Sequence, residues 1–396
     1  MISSLLDTDF YKFTMGQVAR ERFSGTLVKY RFKNRGGNNL SHLCDSLKEK
    51  IKEFKNLKLT NGELKYLKST GFFRDSYLSY LKTMDLSRVR VHVFSSGEEL
   101  NVEVSGLWEE AIFFEAPVLA MINELHFQAS DQEKCWIVGK QNLNKKMHFL
   151  KESLAATEGG QFPFLFCDFG TRRRFSREWQ KEVVETLQSE FENRGTFFGT
   201  SNVLLAKELD LKPIGTMAHE YLQAMQKICV DEGGELKNFQ KMALDEWKEF
   251  YRDSPELLIA LSDVVGSKAF IQDFSKDLAE AYRGTRWDSG SAEDYTNSII
   301  SRYKELGIDP LTKLILYSDG LDLEKALDLW RKFHGKIKTA AAIGTNLSND
   351  CGEKPLNIVM KIVECSGAPV AKLSDSPGKE VGGSVEFIEQ LKKLFR

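Results

Sequence analysis

Proline is scarce in this chain: 8 residues in 396, where ordinary usage of roughly 5% would supply about 20. Glycine, at 29, is not scarce, so the shortage argues against Pro-rich linkers and for helices joined by ordered loops. Cysteine is sparse and scattered. Cys44, Cys135, Cys167, Cys229, Cys351 and Cys365 include no pair at C-x-x-C spacing. A zinc site of that type is unsupported, and the pattern reads as reduced thiols of a cytoplasmic protein. Positive charge is not in excess. Lys plus Arg number 55 against 57 for Asp plus Glu, a formal net charge of −2, which argues against a generic nucleic-acid binder. A hydrophobic fraction of 42% excludes an acidic disordered chain. The most apolar run, Ala116 to Asn123, is too short to span a bilayer. Asp7 and Asp9 interrupt MISSLLDTDFYK before a signal-peptide core can form. A soluble, cytoplasmic protein is expected, with no membrane or nucleic-acid partner.

The length allows two to three domains, or one barrel with a companion. Val28, Tyr30 and Phe32 alternate with Lys29, Arg31 and Lys33, the period of a half-buried strand. Val89, Val91 and Val93, then Val102 and Val104, alternate on either side of Ser95-Ser96-Gly97 and predict a hairpin. Residues 43–85 read as helices. From Phe164 onward a short apolar run, a loop and an amphipathic helix recur. The runs are FLFCDFGTRRR, TFFGTSN, KPIGTMAHE, ELLIALSD, RGTRWDSG, KLILYSDG and TAAAIGTN. Seven such units predict an irregular (β/α) barrel. The tail predicts a strand over Ile358 to Val363, a turn at Asp375-Ser376-Pro377-Gly378, and a helix with Phe387, Ile388, Leu391 and Leu394 on one side. Docked on the N-terminal segment, it would complete a discontinuous α/β domain of residues 1–130 plus 350–396, leaving 131–349 as the barrel.

Barrels carry their chemistry at the C-terminal ends of strands. Those ends hold Asp168, Arg172, Ser201, His219, Asp263, Asp288 and Asp319. Arg172, Arg173, Arg174 and Arg177 crowd together. They read as a solvated run or, at Arg172, as a site for phosphate or carboxylate. From Asp168 to Glu178 there are four arginines against two acids, which predicts a local basic pocket. His219 in GTMAHE can be base, acid or covalent nucleophile with Glu220 beside it, or a histidine bonded to backbone at a helix start. In RWDSG, Arg286, Asp288 and Ser289 suit ribose and phosphate, or the Asp and Ser simply cap a helix. YSDGLD and AIGTN are the last two strand-end loops. Gly320, Gly344 and Thr345 can offer backbone N–H groups to an anion. Tyr11 in DTDFYK reads locally as packing.

Together, LLDTDFYKFTMGQ, FCDFGTRRR, FFGTSNVLLAKEL, PIGTMAHE, RWDSG, LILYSDGLD and AIGTNLSND resemble the nicotinate phosphoribosyltransferase family, over essentially the whole chain and in order. The resemblance implies an irregular (β/α) barrel of the type II phosphoribosyltransferase kind plus a discontinuous α/β domain, in a homodimer with shared active sites. The implied reaction joins nicotinate to 5-phosphoribosyl diphosphate, coupled to ATP hydrolysis, in NAD biosynthesis. Mg²⁺ would accompany the diphosphate and ATP, so no protein-only metal cage is expected. His219 would be phosphorylated by ATP, with Glu220 and Asp263 orienting or polarising it. Phe169 and Tyr11 would sandwich the pyridine, Tyr11 coming from the partner subunit. Arg172, Arg286, Asp288 and Ser289 would hold ribose, phosphates and carboxylate. Ser318, Asp319, Gly320, Gly344 and Thr345 would cradle the 5-phosphate, and Arg35 would reach phosphate across the dimer.

The related nicotinamide-using enzymes carry an acidic residue where this chain has Ser201. A hydroxyl can donate to a nicotinate carboxylate that an acid would repel, so the resemblance favours the acid, with nicotinamide transfer as the alternative. A phosphate-binding aldolase would need a Schiff-base lysine at a strand end, whereas Lys212 and Lys313 begin their strands. A non-catalytic homologue should have lost some of His219, Arg286 and Asp288, and all are present.

Overall fold

The computed structural model describes residues 2–156, 162–191, 195–376 and 378–396. They form two compact units. The first comprises Met1–Gly25, Tyr30–Gly215 and Ile343–Met360, and the second Thr26–Lys29, Thr216–Ala342 and Lys361–Arg396.

β1 (Leu27–Asn34), whose residues from Tyr30 onward belong to the first unit, lies beside β3 (Glu99–Leu107), which pairs antiparallel with β2 (Arg90–Ser96). Val91 faces Val104 and Val93 faces Val102, the hairpin register that alternation predicts. Its two-residue turn places Gly97 at φ +58, a left-handed conformation glycine adopts without a Cβ clash. The Lys- and Glu-rich stretch forms helices Cys44–Lys55, Asn61–Ser69 and Asp75–Thr83, the second opened by a Thr60/Glu63 capping box. The most apolar run lies in helix Glu115–Phe127, which is almost wholly buried. β4 (Phe166–Asp168) and β5 (Phe197–Thr200) pair in parallel, each followed by a helix, Arg177–Phe191 and Val203–Glu208.

The second unit contains β6 (Ile259–Leu261), β7 (Gly284–Trp287), β8 (Leu314–Tyr317) and the paired part of β9 (Lys338–Ile343). They pair in parallel in sequence order, with Ala260 opposite Thr285, Thr285 opposite Ile315, and Ile315 opposite Thr339. Helices Ser267–Asp273, Ala292–Glu305 and Leu323–Phe333 follow the first three. The chain is thus mixed α/β with parallel strands.

KPIGT departs from the expected rhythm. Among the described residues it forms no strand, only an isolated bridge between Thr200 and Pro213. Pro213 lacks an N–H for a ladder. Gly215 sits at φ +150, where an added Cβ would lie 3.1 Å from the Tyr11 nitrogen.

The tail also differs from the expected division of the chain. Residues 343–360 group with the N-terminal segment, but 361–396 group with the second unit. Buried Gln226, in helix His219–Asp231, explains part of this. It donates to the Ala371 carbonyl at 2.7 Å and accepts from the Ala371 amide at 2.9 Å. Phe395 meets Phe239 edge-on at 5.7 Å. Of the four apolar residues expected on one side of the last helix, Val385–Phe395, only Leu391 is buried. The predicted strand is β10 (Ile358–Cys365), while Pro377 of the predicted turn lies outside the described residues. Among the described residues no helix is long and apolar enough to cross a membrane.

Candidate active site

Asp168 ends β4 and is fully buried. Its carboxylate accepts from the Gly170 amide at 2.9 Å, Gln180 Nε2 at 2.8 Å and Thr200 Oγ1 at 2.7 Å. Its backbone carbonyl accepts from the Ser201 amide at 2.8 Å. Burial nevertheless pushes its carboxyl up to about 6. One side chain thereby ties together the loops that carry Phe169, Arg172 and Ser201. The Phe169 amide donates to Ile343 at 2.9 Å. A Cβ on Gly344 would lie 2.9 Å from the Phe169 carbonyl, so glycine permits that approach.

The Phe169 ring lies nearly parallel to Tyr11, with centroids 6.5 Å apart and planes 20° off. Tyr11 is fully buried, which raises its phenol well above the usual range, and its hydroxyl donates to Asp9 Oδ2 at 2.6 Å. The resemblance implies a tyrosine supplied by a partner subunit; within the single chain Tyr11 lies beside Phe169, and an Asp9–Asn202 bridge anchors its segment beside the loop after β5.

Arg172 is 31% exposed, with its guanidinium 6.0 Å from the Tyr11 ring centre. Its Nε is 3.6 Å from Asp9 Oδ2 and its Nη1 3.7 Å from Glu115 Oε1. These are ion pairs beyond ordinary hydrogen-bond length. Ser201 is buried and donates to Asp9 Oδ1 at 2.7 Å.

The other arginines do not make the basic pocket that local counting predicts. Arg174 is fully buried and bidentate to Asp7 at 2.7 and 2.8 Å, with Glu124 at 2.8 Å. Burial acts to lower its pKa, but Asp7 and Glu124 outweigh that and raise it. Arg177 pairs with Glu208 at 2.6 Å, and Arg173 donates to the Ile358 carbonyl at 3.2 Å. Acids distant in sequence neutralise what the local count leaves positive. Thr345 and Arg35 also belong to the first unit. Thr345 opens a four-residue helix, and half-buried Arg35 bonds through its amide to Asn357 at 2.8 Å.

The second unit holds the other constellation. His219 begins helix His219–Asp231, and Asp263, Asp288 and Ser318 follow β6, β7 and β8. His219 Nε2 lies 2.8 Å from Asp263 Oδ1, 3.4 Å from Asp288 Oδ2 and 2.6 Å from Lys372 Nζ. Lys372 also lies 2.8 Å from Asp263 Oδ2 and 3.7 Å from Asp288 Oδ2. Ser289 donates to Asp263 Oδ2 at 2.6 Å. Arg286 donates to Asp288 Oδ1 at 3.2 Å, Ser318 Oγ at 2.8 Å and the Met217 carbonyl at 3.1 Å. Glu220 is buried in the same helical turn as His219, while Asp263, Asp288 and Lys372 contact the ring. Asp319 pairs with Lys379 at 2.6 Å, and exposed Gly320 sits at φ +61.

Burial, with Lys372 beside it, lowers the His219 imidazole to about 4, so the ring is neutral at pH 7. Burial works to raise Asp263 and Asp288. Lys372 outweighs it and holds Asp263 well below the carboxylate range, while Arg286 holds Asp288 down to about 2. A neutral, buried imidazole oriented by a carboxylate is chemically a nucleophile or a base. Among the described residues, His219, Asp263 and Asp288 form the one cluster with ligand atoms close enough for a metal ion, within 4.8 Å of one another. The Lys372 ammonium already stands among those atoms, so the group fits an ion-pair network and not a metal cage.

Sequence reasoning missed Lys372 and Lys379. Both belong to KLSDSPGK, which reads locally as a turn. It also missed Asp9, whose signal was its place two residues before Tyr11.

Comparison with known proteins places the chain in a family. The nicotinate phosphoribosyltransferase (NAPRTase) N-terminal domain matches residues 6–123, and the NAPRTase family matches residues 164–396. A relative named nicotinate phosphoribosyltransferase from Acinetobacter baumannii is 42% identical over 401 residues, covering 100% of this chain and 97% of the relative. One from Chromobacterium violaceum is 42% identical over 399 residues with the same coverage. The crystal structure of the nicotinate phosphoribosyltransferase from Vibrio cholerae matches with a TM-score of 0.90 at 33% identity, covering 100% of this chain and 94% of that one. That from Porphyromonas gingivalis matches at 0.89 and 30%, covering both chains fully. With both segments matched and full-length relatives at 42% identity, the chain belongs to the nicotinate phosphoribosyltransferase family.

Proposed function

We propose that the protein joins nicotinate to 5-phosphoribosyl diphosphate, releasing nicotinate mononucleotide and diphosphate, and that it couples this step to ATP hydrolysis through a phosphohistidine at His219. The observation that carries the substrate reading is the aromatic slot. Tyr11 and Phe169 lie parallel with centroids 6.5 Å apart, and a guanidinium stands 6.0 Å from one ring. A flat aromatic acid suits that combination once the 6.5 Å separation opens to about 7 Å, two contact distances, so that its ring enters between the two faces with its carboxylate on Arg172. Acid is favoured over amide by Arg172 more than by Ser201, whose proton goes to Asp9.

In the transfer, the pyridine nitrogen supplies the electron pair for a new bond to the anomeric carbon. The diphosphate leaves with the pair from the broken C–O bond. Stacking and the guanidinium fix the ring so that its nitrogen is presented in one orientation. Arg286 and Ser289 are the groups of the second unit suited to phosphate and ribose oxygens. Mg²⁺ bound to the diphosphate and ATP as part of the substrates would neutralise leaving-group charge. In the ATP step, neutral His219 attacks the γ-phosphorus, ADP leaves, and water later cleaves the phosphohistidine. The same reading makes the protein a cytoplasmic homodimer with shared active sites in NAD biosynthesis.

A product assay with nicotinate, phosphoribosyl diphosphate and Mg²⁺, with and without ATP, tests the reading. Mononucleotide is expected in both arms, with ATP driving more of it, and label from γ-labelled ATP is expected on wild type but not on His219→Ala. Folded protein that forms no mononucleotide overturns the transferase reading. Unchanged ATP-driven turnover in His219→Ala overturns the phosphohistidine.

A further inference from the structure

His219 faces two carboxylates, Asp263 from the loop after β6 and Asp288 from the loop after β7. Alone, they would draw a proton onto the imidazole, because an opposite charge at this range favours the charged form. A protonated ring is no nucleophile. The cluster is completed by an ammonium from elsewhere in the chain. Lys372, 8% exposed, touches His219 Nε2 at 2.6 Å and Asp263 Oδ2 at 2.8 Å. Arg286, the remaining charge at the cluster, is turned onto Asp288.

The seat of Lys372 is built on both sides. Before it, Gln226 grips Ala371 through two hydrogen bonds. After it, the Asp375 carboxylate accepts from the Ser267 amide at 3.1 and 3.0 Å, and the Asp375 amide donates to Ser289 Oγ at 3.0 Å. The Gly290 amide donates to Ser376 Oγ at 3.1 Å. A Cβ on Gly290 would lie 3.0 Å from the Asp375 Cβ, so glycine lets the strap lie this close. Ser289 in turn donates to Asp263. Lys372, Asp263, Ser289 and Asp375 thus form one connected circuit that begins and ends on residues 371–376.

We propose that Lys372 is a positioning residue for His219. Together with Arg286, which pairs with Asp288, its ammonium offsets the two carboxylates around the buried imidazole, which keeps the ring neutral, and so able to act as a nucleophile, at physiological pH. The strap 371–376 holds it there. Burial and the Lys372 charge both lower His219, in agreement with this geometry. The assignment rests on His219 being the nucleophile toward ATP, but its direct consequence, the protonation state of His219, needs no ATP to observe.

The test is an NMR titration of the His219 ring in the full-length protein without nucleotide, assigned with His219→Asn, for wild type, Lys372→Met, Lys372→Gln and Lys372→Arg. The midpoint is expected to rise by about one to three pH units in the Met and Gln variants and to stay near wild type in the Arg variant. The remaining histidine signals report whether each variant is folded. In parallel, labelling by γ-labelled ATP at pH 7 is expected to fall in Lys372→Met, to recover as the pH is raised, and to persist in Lys372→Arg. A wild-type midpoint in both folded neutral variants overturns the proposal. Absence of label on wild type overturns the phosphohistidine instead, and leaves the titration to decide the role of Lys372.

Discussion

The Ser201 hydroxyl donates a hydrogen bond to Asp9 Oδ1 at 2.7 Å, and the Tyr11 hydroxyl donates to the other oxygen of the same carboxylate at 2.6 Å. A carboxylate therefore stands beside the aromatic slot, held by two neutral donors and faced by Arg172. Ser201→Asp would set a second carboxylate against Asp9 in a fully buried position, where two such groups cannot both ionise. We expect kcat/KM for nicotinate to fall about tenfold or more, the equivalent of about 1.4 kcal/mol, and nicotinamide to suffer less. An unchanged acid-to-amide ratio would contradict this account.

The parallel rings of Tyr11 and Phe169 predict a substrate-specific loss. Phe169→Ala should raise KM for nicotinate about tenfold, the scale of one lost aromatic contact, with little effect on phosphoribosyl diphosphate. Tyr11→Phe keeps the ring and should act more mildly, removing only the donor to Asp9. Equal effects of Phe169→Ala on both substrates would show that the rings do not hold the pyridine.

Arg172 is partly exposed and sits at ion-pair distance, 3.6 and 3.7 Å, from its two acids. Arg172→Gln should therefore weaken nicotinate by about ten- to a hundredfold, the worth of a charge-assisted hydrogen bond. Nicotinamide, which carries no carboxylate, should barely change. Steady-state kinetics with both compounds decide the matter, and a parallel loss for the two refutes the assignment.

His219 makes a prediction about acid. Its imidazole is held down to about 4 against an ordinary 6.5. A histidine with the ordinary value would be mostly protonated by pH 5.5, whereas this one stays neutral until the pH nears 4. The rate of label transfer from ATP to wild-type protein should hence show no His219 titration between pH 8 and pH 5. A loss centred near 6.5 would mean that the ring is not shielded as described.

Arg174 is structural. It is buried against Asp7, Glu124 and Gln180. Arg174→Ala would leave two carboxylates buried without their cation, a loss of about 3–5 kcal/mol. Denaturant unfolding should record a lower midpoint. If stability is retained while only substrate affinity falls, Arg174 belongs to the site.

The parallel-strand rhythm was legible because βα units repeat a local pattern, and the residues ending β4, β6, β7 and β8 were located from it. KPIGT misled because its apolar composition is strand-like while Pro213 and the φ of Gly215 forbid a ladder. The arginine cluster misled because Asp7 and Glu124, which neutralise Arg174, lie 167 and 50 positions away. Lys372 escaped for the same reason: it meets His219 across 153 positions, and pairwise distance is invisible to periodicity. What sequence reveals is which loops hold chemistry, and what it hides is the countercharge each one receives.

The strap that seats Lys372 also fixes what completes the cluster. His219, Asp263 and Asp288 precede it in the chain, and Lys372 meets His219 across 153 positions. Contacts of such separation bear a loop-closure cost that local helix and strand contacts do not. The charge balance around the imidazole therefore depends on the docking of a C-terminal segment, and loosening residues 371–376 would disturb it without touching any residue of the βα loops.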